Sequence, residues 1–479
     1  MYCFLLFLCI FAQNKYQKRE ILHIILTSMT IERSIIHQLN EWKNRIDRKP
    51  LLLFGARQIG KTWILKHFGE TAFEHCAYFS LDEDNHIGDI FKTTKDPRRI
   101  IEQLQFLSDA VISPGSTLVI LDEIQECPEA LASLKYFCEK APEYAVAAAG
   151  SLLGLTIGHR DFSFPVGKVD HLDMFPLSFS EFLKAKDERL YSYYASVLEP
   201  QSLPQIFFDR LSEVFNAYRV CGGMPEVATA MLSGDMQGVE TKLSNILKDY
   251  RLDFVKHTTP ALANKAGHVW QSLPSQLAKE NRKFIYQLVR PGARAREYED
   301  ALIWLQNAGL VYKVSLCKES RLPLKAYEDL GVFKIYAVDI GILRCLAGMS
   351  GSFYFTPAEQ FKEFKGALAE NYVLQSLVMQ FGKEQHYWSS GNTAELEFLL
   401  QWENEILPIE VKSGISVTGK SLSQYTKTFA PHLRIRYSML NMKQDGTLIN
   451  IPLFLADKTK DILMATRNHR DGFLFHHMR

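Results

Sequence analysis

The stretch LLLFGARQIGKT, residues 51–62, constrains the fold more than any other part of the chain. Its four leading apolar residues read as a short strand buried on both faces, and the WILKHFGE that follows reads as a helix. A G-x-x-x-x-G-K-T turn between a strand and a helix is a phosphate cradle. Gly55 and Gly60 let the backbone turn its N–H groups inward, and the helix N-terminus behind them favours negative charge. The loop residues Gly55, Ala56, Arg57, Gln58, Ile59, Gly60, Lys61 and Thr62 are therefore the candidate nucleotide contacts. Lys61 is placed to reach the β- and γ-phosphates and Thr62 to ligate Mg²⁺, so the expected ligands are ATP and Mg²⁺.

A second apolar run, TLVILDEIQECP (117–128), ends in paired carboxylates. Asp122 is expected to hold the Mg²⁺ shell and Glu123 to polarise the attacking water as general base. YAVAAAGS (144–151) reads as another buried strand ending at Ser151, a candidate γ-phosphate sensor for which a plain strand cap is an equal reading. Strands near 51–54, 76–82, 117–121, 144–149 and 169–174, alternating with helical segments, predict an α/β fold with a parallel sheet and nucleotide at its carboxyl edge.

The 479 residues allow two to four domains, and the 47% hydrophobic content can fill them. Lys and Arg number 55 against 54 Asp and Glu, so any basic face for nucleic acid is local. Eight cysteines without a C-x-x-C pair fit reduced thiols in the cytoplasm better than disulfides or a zinc site. The apolar MYCFLLFLCIFAQ is shorter than the ~20 residues of a membrane helix, and its basic residues follow the apolar run, unlike a secretory signal. No membrane partner is expected. Met29 opens MTIERSIIHQLNEWKNRI, with Thr30 as N-cap and Ile31, Ile35, Ile36, Leu39 and Trp42 at helical spacing. The expectation is that translation starts at Met29 and that residues 1–28 are a non-native extension.

FGARQIGKT, LDEIQECP, AAGSLLG, MFPLSFSEFL (174–183) and GGMPEV (222–227) together resemble the prokaryotic AAA-type P-loop ATPases that carry a C-terminal domain of unknown function. The resemblance implies ATP hydrolysis and, as in many such engines, sites completed across the subunits of a homo-oligomer. One departure is VGKV (166–169), where the family pattern leads to an arginine after the glycine; Lys168 keeps the charge without the planar fork. The arginine finger is left unassigned, with Arg57, Arg160 and Arg219 as candidates.

Residues 176–264 have helical periodicity and read as the lid of such an ATPase, after a core at 29–175. Residues 265–348 give helices followed by a strand, with Gly309 ending the helix that contains Ala301, Leu302 and Leu305. With a wing near RLPLKAYED, this segment resembles a winged helix. Lys279, Arg282, Lys283, Arg290, Arg294 and Arg296 are its candidate phosphate contacts to DNA, with a solvated face or inter-domain ion pairs as the equal alternative.

Residues 349–479 run from the amphipathic helix FKGALAENYVLQSL through strands HYWSS and AELEFLL to ILPIEVKSG. A helix with Glu370, a strand with Glu397 and a strand with Glu410 and Lys412 resemble the PD-(D/E)XK nuclease core, in a restriction-endonuclease-like α/β domain. In that chemistry carboxylates hold Mg²⁺ against the scissile phosphate and the lysine stabilises charge. Glu397 stands where the resemblance implies aspartate, one methylene shorter. Glu395 shares the face of Glu397 and is expected to substitute for it or to pair with Lys412. The alternative is an ion-pair network in a domain that does not cut. The expected function is an ATPase that drives or gates a DNA- or protein-binding C-terminal region; the alternatives are an ATP-gated DNA nuclease and a non-catalytic nucleotide-switched regulator.

Overall fold

The computed structural model describes residues 31–83, 85–108, 111–150, 164–279, 282–352, 362–391, 394–415 and 419–476. Strands β1 (Leu51–Phe54), β2 (His75–Ser80), β3 (Thr117–Asp122), β4 (Ala145–Ala149) and β5 (Asp170–Asp173) form a five-stranded sheet in the order β2-β3-β4-β1-β5. Every pairing is parallel. Alternate residues enter different apolar clusters: Leu51, Leu53, Leu118 and Ile120 pack on one face, Leu52, Val119 and Leu121 on the other. Covering both faces is what makes these strands unbroken apolar runs, and it confirms the parallel α/β expectation. The strand order puts β4 between β1 and β3, so the loops leaving β1 and β3 flank one crevice at the carboxyl edge of the sheet.

The first helix spans Ile35–Asn44 with Ser34 at its N-cap, later than the periodicity beginning at Ile31 suggested. Thr30, the expected cap, and residues 1–28 lie outside the described residues. Ser34 donates from its N–H and its hydroxyl to Glu181 Oε1, at 2.7 and 2.8 Å, so tertiary bonds set the start of this helix. Glu181 also closes a capping box with Ser178 at the head of helix Phe179–Lys186.

Helices Phe179–Lys186, Glu188–Ser196, Gln205–Cys221, Pro225–Leu232 and Met236–His257 fill the segment read as a lid. Between the third and fourth lies the GG turn. Gly222 has φ +71°, and a Cβ on Gly223 would sit 2.2 Å from the Leu177 carbonyl oxygen. Gly223→Ala is therefore expected to lower the melting temperature by several degrees, because backbone must move to admit the methyl group. Gly267→Ala is the control. Gly267 is inside helix Pro260–Leu277 with open space at its Cβ, and the change should be neutral or stabilising by up to about 1 kcal/mol.

A second, mixed sheet has the order β12-β13-β11-β10-β9-β8-β6-β7. Its strands are β6 (Val311–Cys317), β7 (Glu328–Ala337), β8 (Gln385–Ser389), β9 (Glu395–Trp402), β10 (Glu405–Val411), β11 (Arg434–Ser438), β12 (Lys443–Asp445) and β13 (Leu448–Pro452). Here the structure differs from the expected segmentation. The hairpin of β6 and β7 does not stand as a separate wing, because β6 pairs in parallel with β8, and one sheet runs across the expected boundary at 348/349. The stretch read as the wing tip instead forms a 3₁₀ turn at Leu324–Tyr327 that leads into β7. Local pattern could not reveal this, since the β6–β8 pairing joins residues about 70 positions apart.

This sheet is bonded to the helical segment through half-buried polar groups. Asp457 accepts from the Ser180 N–H and the Tyr372 hydroxyl, both at 2.8 Å. Asn441 both accepts from the Leu203 N–H and donates to the Leu203 carbonyl. Among the described residues, no helix is long and apolar enough to cross a membrane, and Cys76, Cys127, Cys138, Cys221, Cys317 and Cys345 are free thiols.

Candidate functional site

The loop after β1 turns on positive-φ residues: Gly55 at +150°, Gln58 at +63° and Gly60 at +91°. A Cβ at Gly55 would lie 2.4 Å from the Met174 carbonyl oxygen, so only glycine lets the loop pass the end of β5. Gly60 is the N-cap of helix Lys61–Ala72, whose positive N-terminal end adjoins the loop. Lys61 is buried, and its Nζ donates to the Gly55 and Ala56 carbonyls at 3.0 and 2.8 Å. Burial pulls its pKa down to about 8, against the opposing pull of Glu123 and Asp122. Arg33 braces the loop from outside, donating to the Ile59 carbonyl at 3.0 Å and to the Phe175 carbonyl at 2.6 Å.

Asp122 ends β3 beside this helix. Its Oδ2 accepts from the Thr62 hydroxyl at 2.6 Å and the Tyr78 hydroxyl at 3.1 Å, and its Oδ1 accepts from the Glu123 N–H at 3.1 Å. Burial first, and then the Asp122 charge, push the Tyr78 hydroxyl up to about 12, so it stays a donor. Thr62 and Asp122 present hard oxygens side by side, a donor set that fits Mg²⁺, which takes one or two protein oxygens and keeps its remaining waters. Glu123 follows in the left-handed region at φ +49°, and the Gln125 amide donates to its Oε2 at 2.5 Å. The sequence reading placed Lys61, Thr62, Asp122 and Glu123, and the fold brings all four to one edge.

It did not find Tyr78 or Gln125. Tyr78 reads as an ordinary strand residue; only the β2–β3 register, with Ser80 opposite Asp122, reveals its role. Helix Met236–His257 was also missed as part of the site. Its Asp253 pairs with Arg57, its Asp249 accepts from the Gln58 amide at 2.7 Å, and its Tyr250 hydroxyl donates to the Arg57 carbonyl at 3.1 Å. The i, i+4 spacing of Asp249 and Asp253 puts both on one face, and this was the available signal. The same helix carries Glu240, which accepts from buried Arg344 at 3.0 and 3.2 Å and from the Gly351 N–H at 2.8 Å.

Of the arginine-finger candidates, Arg57 is held by Asp253, Arg219 bonds Asn216, and Arg160 lies outside the described residues, as does Ser151. Lys168 pairs with Glu139 at 2.9 Å.

The second candidate site is on the mixed sheet. Glu370 lies in helix Lys362–Phe381 and is buried; it pairs with Arg282 and accepts from the Tyr336 hydroxyl at 3.1 Å. Arg282 is thus turned inward and is corrected from the proposed DNA-facing set, whereas Lys279, Lys283, Arg290, Arg294 and Arg296 are exposed. Glu410 Oε2 accepts from Arg436 at 2.8 Å, and Lys412 Nζ is 3.4 Å from Glu410 Oε1, which has no hydrogen bond among the described residues. Glu395 pairs with the fully buried Lys334, not with Lys412. Among the described residues no three His, Cys, Asp or Glu side chains are disposed to hold a metal ion. The arrangement does not fit the divalent ion that the nuclease resemblance implies.

Glu397 accepts from the Val411 N–H at 2.9 Å. Burial and then Glu370 push its carboxyl up to about 7, against Lys412 and Lys334. The folded chain therefore keeps this proton to about pH 7, whereas an unfolded glutamate releases it near 4.5. The stability so contributed is fully present below that lower value and is lost as pH rises through the higher one. Glu397→Gln removes this dependence. The melting temperature of the variant relative to wild type is expected to climb by several degrees between pH 5 and pH 8, and a constant difference would show that Glu397 ionises normally.

Residues 47–183 match the family described as AAA domain, residues 212–352 a domain of unknown function, DUF8612, and residues 365–454 a domain of unknown function, DUF4143. Residues 47–183 thus form an AAA domain. No curated protein matches the chain. Among solved structures, it is similar to the Aeropyrum pernix ORC1 protein in complex with DNA, at 12% identity over 67% of this chain and 93% of that one, with a TM-score of 0.27. It is also similar to the Thermotoga maritima RuvB Holliday junction branch migration motor, at 14% identity over 62% and 93%, with a TM-score of 0.28. A third is C. elegans PCH-2, at 12% identity over 48% and 69%, with a TM-score of 0.26.

Proposed function

We propose that this chain is a Mg²⁺-dependent ATPase that passes its nucleotide state through helix Met236–His257 to a nucleic-acid- or protein-binding C-terminal half. The observation that carries the reading is the convergence of Lys61, Thr62, Asp122 and Glu123 at one edge of the parallel sheet. When bound, Mg²⁺ supplies positive charge to the β- and γ-phosphate oxygens. Backbone N–H groups of residues 55–62 cradle the phosphates, Lys61 neutralises charge on them, and Glu123, oriented by Gln125, takes the proton of the attacking water. Arg57 and Gln58 belong to the loop and bond Asp253 and Asp249, so a shift of the loop pulls on that helix. At its other end the helix holds Arg344 and Gly351 through Glu240.

DNA is the partner proposed for the middle segment, on the exposed Arg290, Arg294 and Arg296. The helix–β8–β9–β10–helix–β11 order of residues 362–438 supports the nuclease-like reading of the fold, and the pairing of its carboxylates with cations favours binding over cutting. One preparation tests the whole reading. Phosphate release is expected to require Mg²⁺ and to rise with duplex DNA, and the rise should be lost when Arg290, Arg294 and Arg296 are replaced by Ala. Folded protein with no Mg²⁺-dependent phosphate release would overturn the ATPase. Salt-sensitive DNA binding that survives the triple substitution would remove this surface as the DNA site. Mn²⁺-dependent cleavage of the same DNA, stopped by Lys412→Ala, would put the ATP-gated nuclease first.

A further inference from the structure

The chain supplies a paired cation for three of the four acids of the C-terminal cluster. Glu370 pairs with Arg282, Glu395 with Lys334, and Glu410 with Arg436 and Lys412, while Glu397, which keeps its proton to about pH 7, accepts from the Val411 N–H. Two of these cations, Arg282 and Lys334, come from the segment that matches DUF8612, whereas all four carboxylates belong to the segment that matches DUF4143. Arg282 is largely enclosed. Its Nε donates to the Leu277 carbonyl at 3.1 Å, and its charge is felt by Glu370, Glu397 and Glu395 together. The local backbone is arranged for it: Arg282 is at φ +43°, and a Cβ on Gly366 would come within 3.0 Å of its Nη2.

We infer that Arg282 is the resident cation of this carboxylate site, serving in place of a divalent ion and joining the middle and C-terminal segments without metal. A divalent ion recruited by Glu370 would have to displace a largely enclosed guanidinium, leaving that charge without a partner, which is costlier than breaking a pair at the surface. The Tyr336 hydroxyl, donated to the second oxygen of Glu370, completes the coordination that a metal would otherwise supply. Cation pairing in the C-terminal cluster is independent of ATP hydrolysis.

The test uses full-length, nucleotide-free protein, so that no metal is carried by bound ATP. In a Mn²⁺ titration followed by electron paramagnetic resonance, wild type and Glu370→Gln are expected to bind alike. A Mn²⁺ site present in wild type and absent in Glu370→Gln would overturn the inference. A double-substitution cycle gives the second readout. Arg282→Gln and Glu370→Gln should each lower the melting temperature by several degrees, and the double variant should recover at least half of the summed loss. Strictly additive losses would show that the two groups do not act as a pair, and would also overturn it.

Discussion

Glu123→Gln is expected to slow Mg²⁺-dependent phosphate release by about 10²–10⁴-fold while leaving ATP bound, the range usual for removing a positioned general base. The substitution is close to isosteric. The Glu123 N–H stays bonded to Asp122 Oδ1, and the Gln125 amide, now 2.5 Å from Glu123 Oε2, would face an amide in place of a carboxylate. Lys61, Thr62 and the loop glycines are untouched, so nucleotide affinity should change little. Single-turnover phosphate release and retention of labelled ATP by the same sample separate the two effects. Wild-type turnover in the variant would remove Glu123 from the base role. Loss of binding together with turnover would mean that Glu123 acts by organising the site through Asp122.

What was legible in the sequence is what local chemistry dictates. The turn at Gly55–Thr62 needs glycine at fixed offsets, and strands buried on both faces cannot hide their apolar runs, so β1, β3 and β4 and the carboxylates at the end of β3 could be placed from pattern alone. Relations between distant segments were not legible. Asp249 and Asp253 look like solvated charges on an amphipathic helix until the fold sets them against Arg57 and Gln58, about 190 residues earlier. Arg282 looks like a member of a basic surface patch, and only its pairing with Glu370 reveals an internal cation. The expected boundary at 348/349 separates a segment that resembles a winged helix from one that resembles a nuclease core, and hydrogen bonding between β6 and β8 crosses it.

Lys61→Met is expected to abolish nucleotide binding, weakening it on the order of 100-fold or more, since charge-assisted hydrogen bonds to phosphate are each worth roughly 1.5–3 kcal/mol. The variant should fold at least as well as wild type. Burial pulls the Lys61 pKa from 10.5 to about 8, a shift that corresponds to stability on the order of 3 kcal/mol forgone at neutral pH by keeping the ammonium charged in the fold. Because the unfolded chain binds this proton more tightly, wild-type stability should rise with pH between those two values, and Met removes that slope. Two bonds to the Gly55 and Ala56 carbonyls are lost as well, which offsets part of the gain. Thermal melts distinguish the two effects. Saturating ATP stabilises a protein that binds it, by about 2.7 kcal/mol at a hundredfold excess over Kd, so wild type should shift upward and Lys61→Met should not. A nucleotide-dependent shift that persists in the variant would place the phosphates elsewhere. A variant that melts well below wild type without nucleotide would make Lys61 a brace of the loop first and a phosphate ligand second.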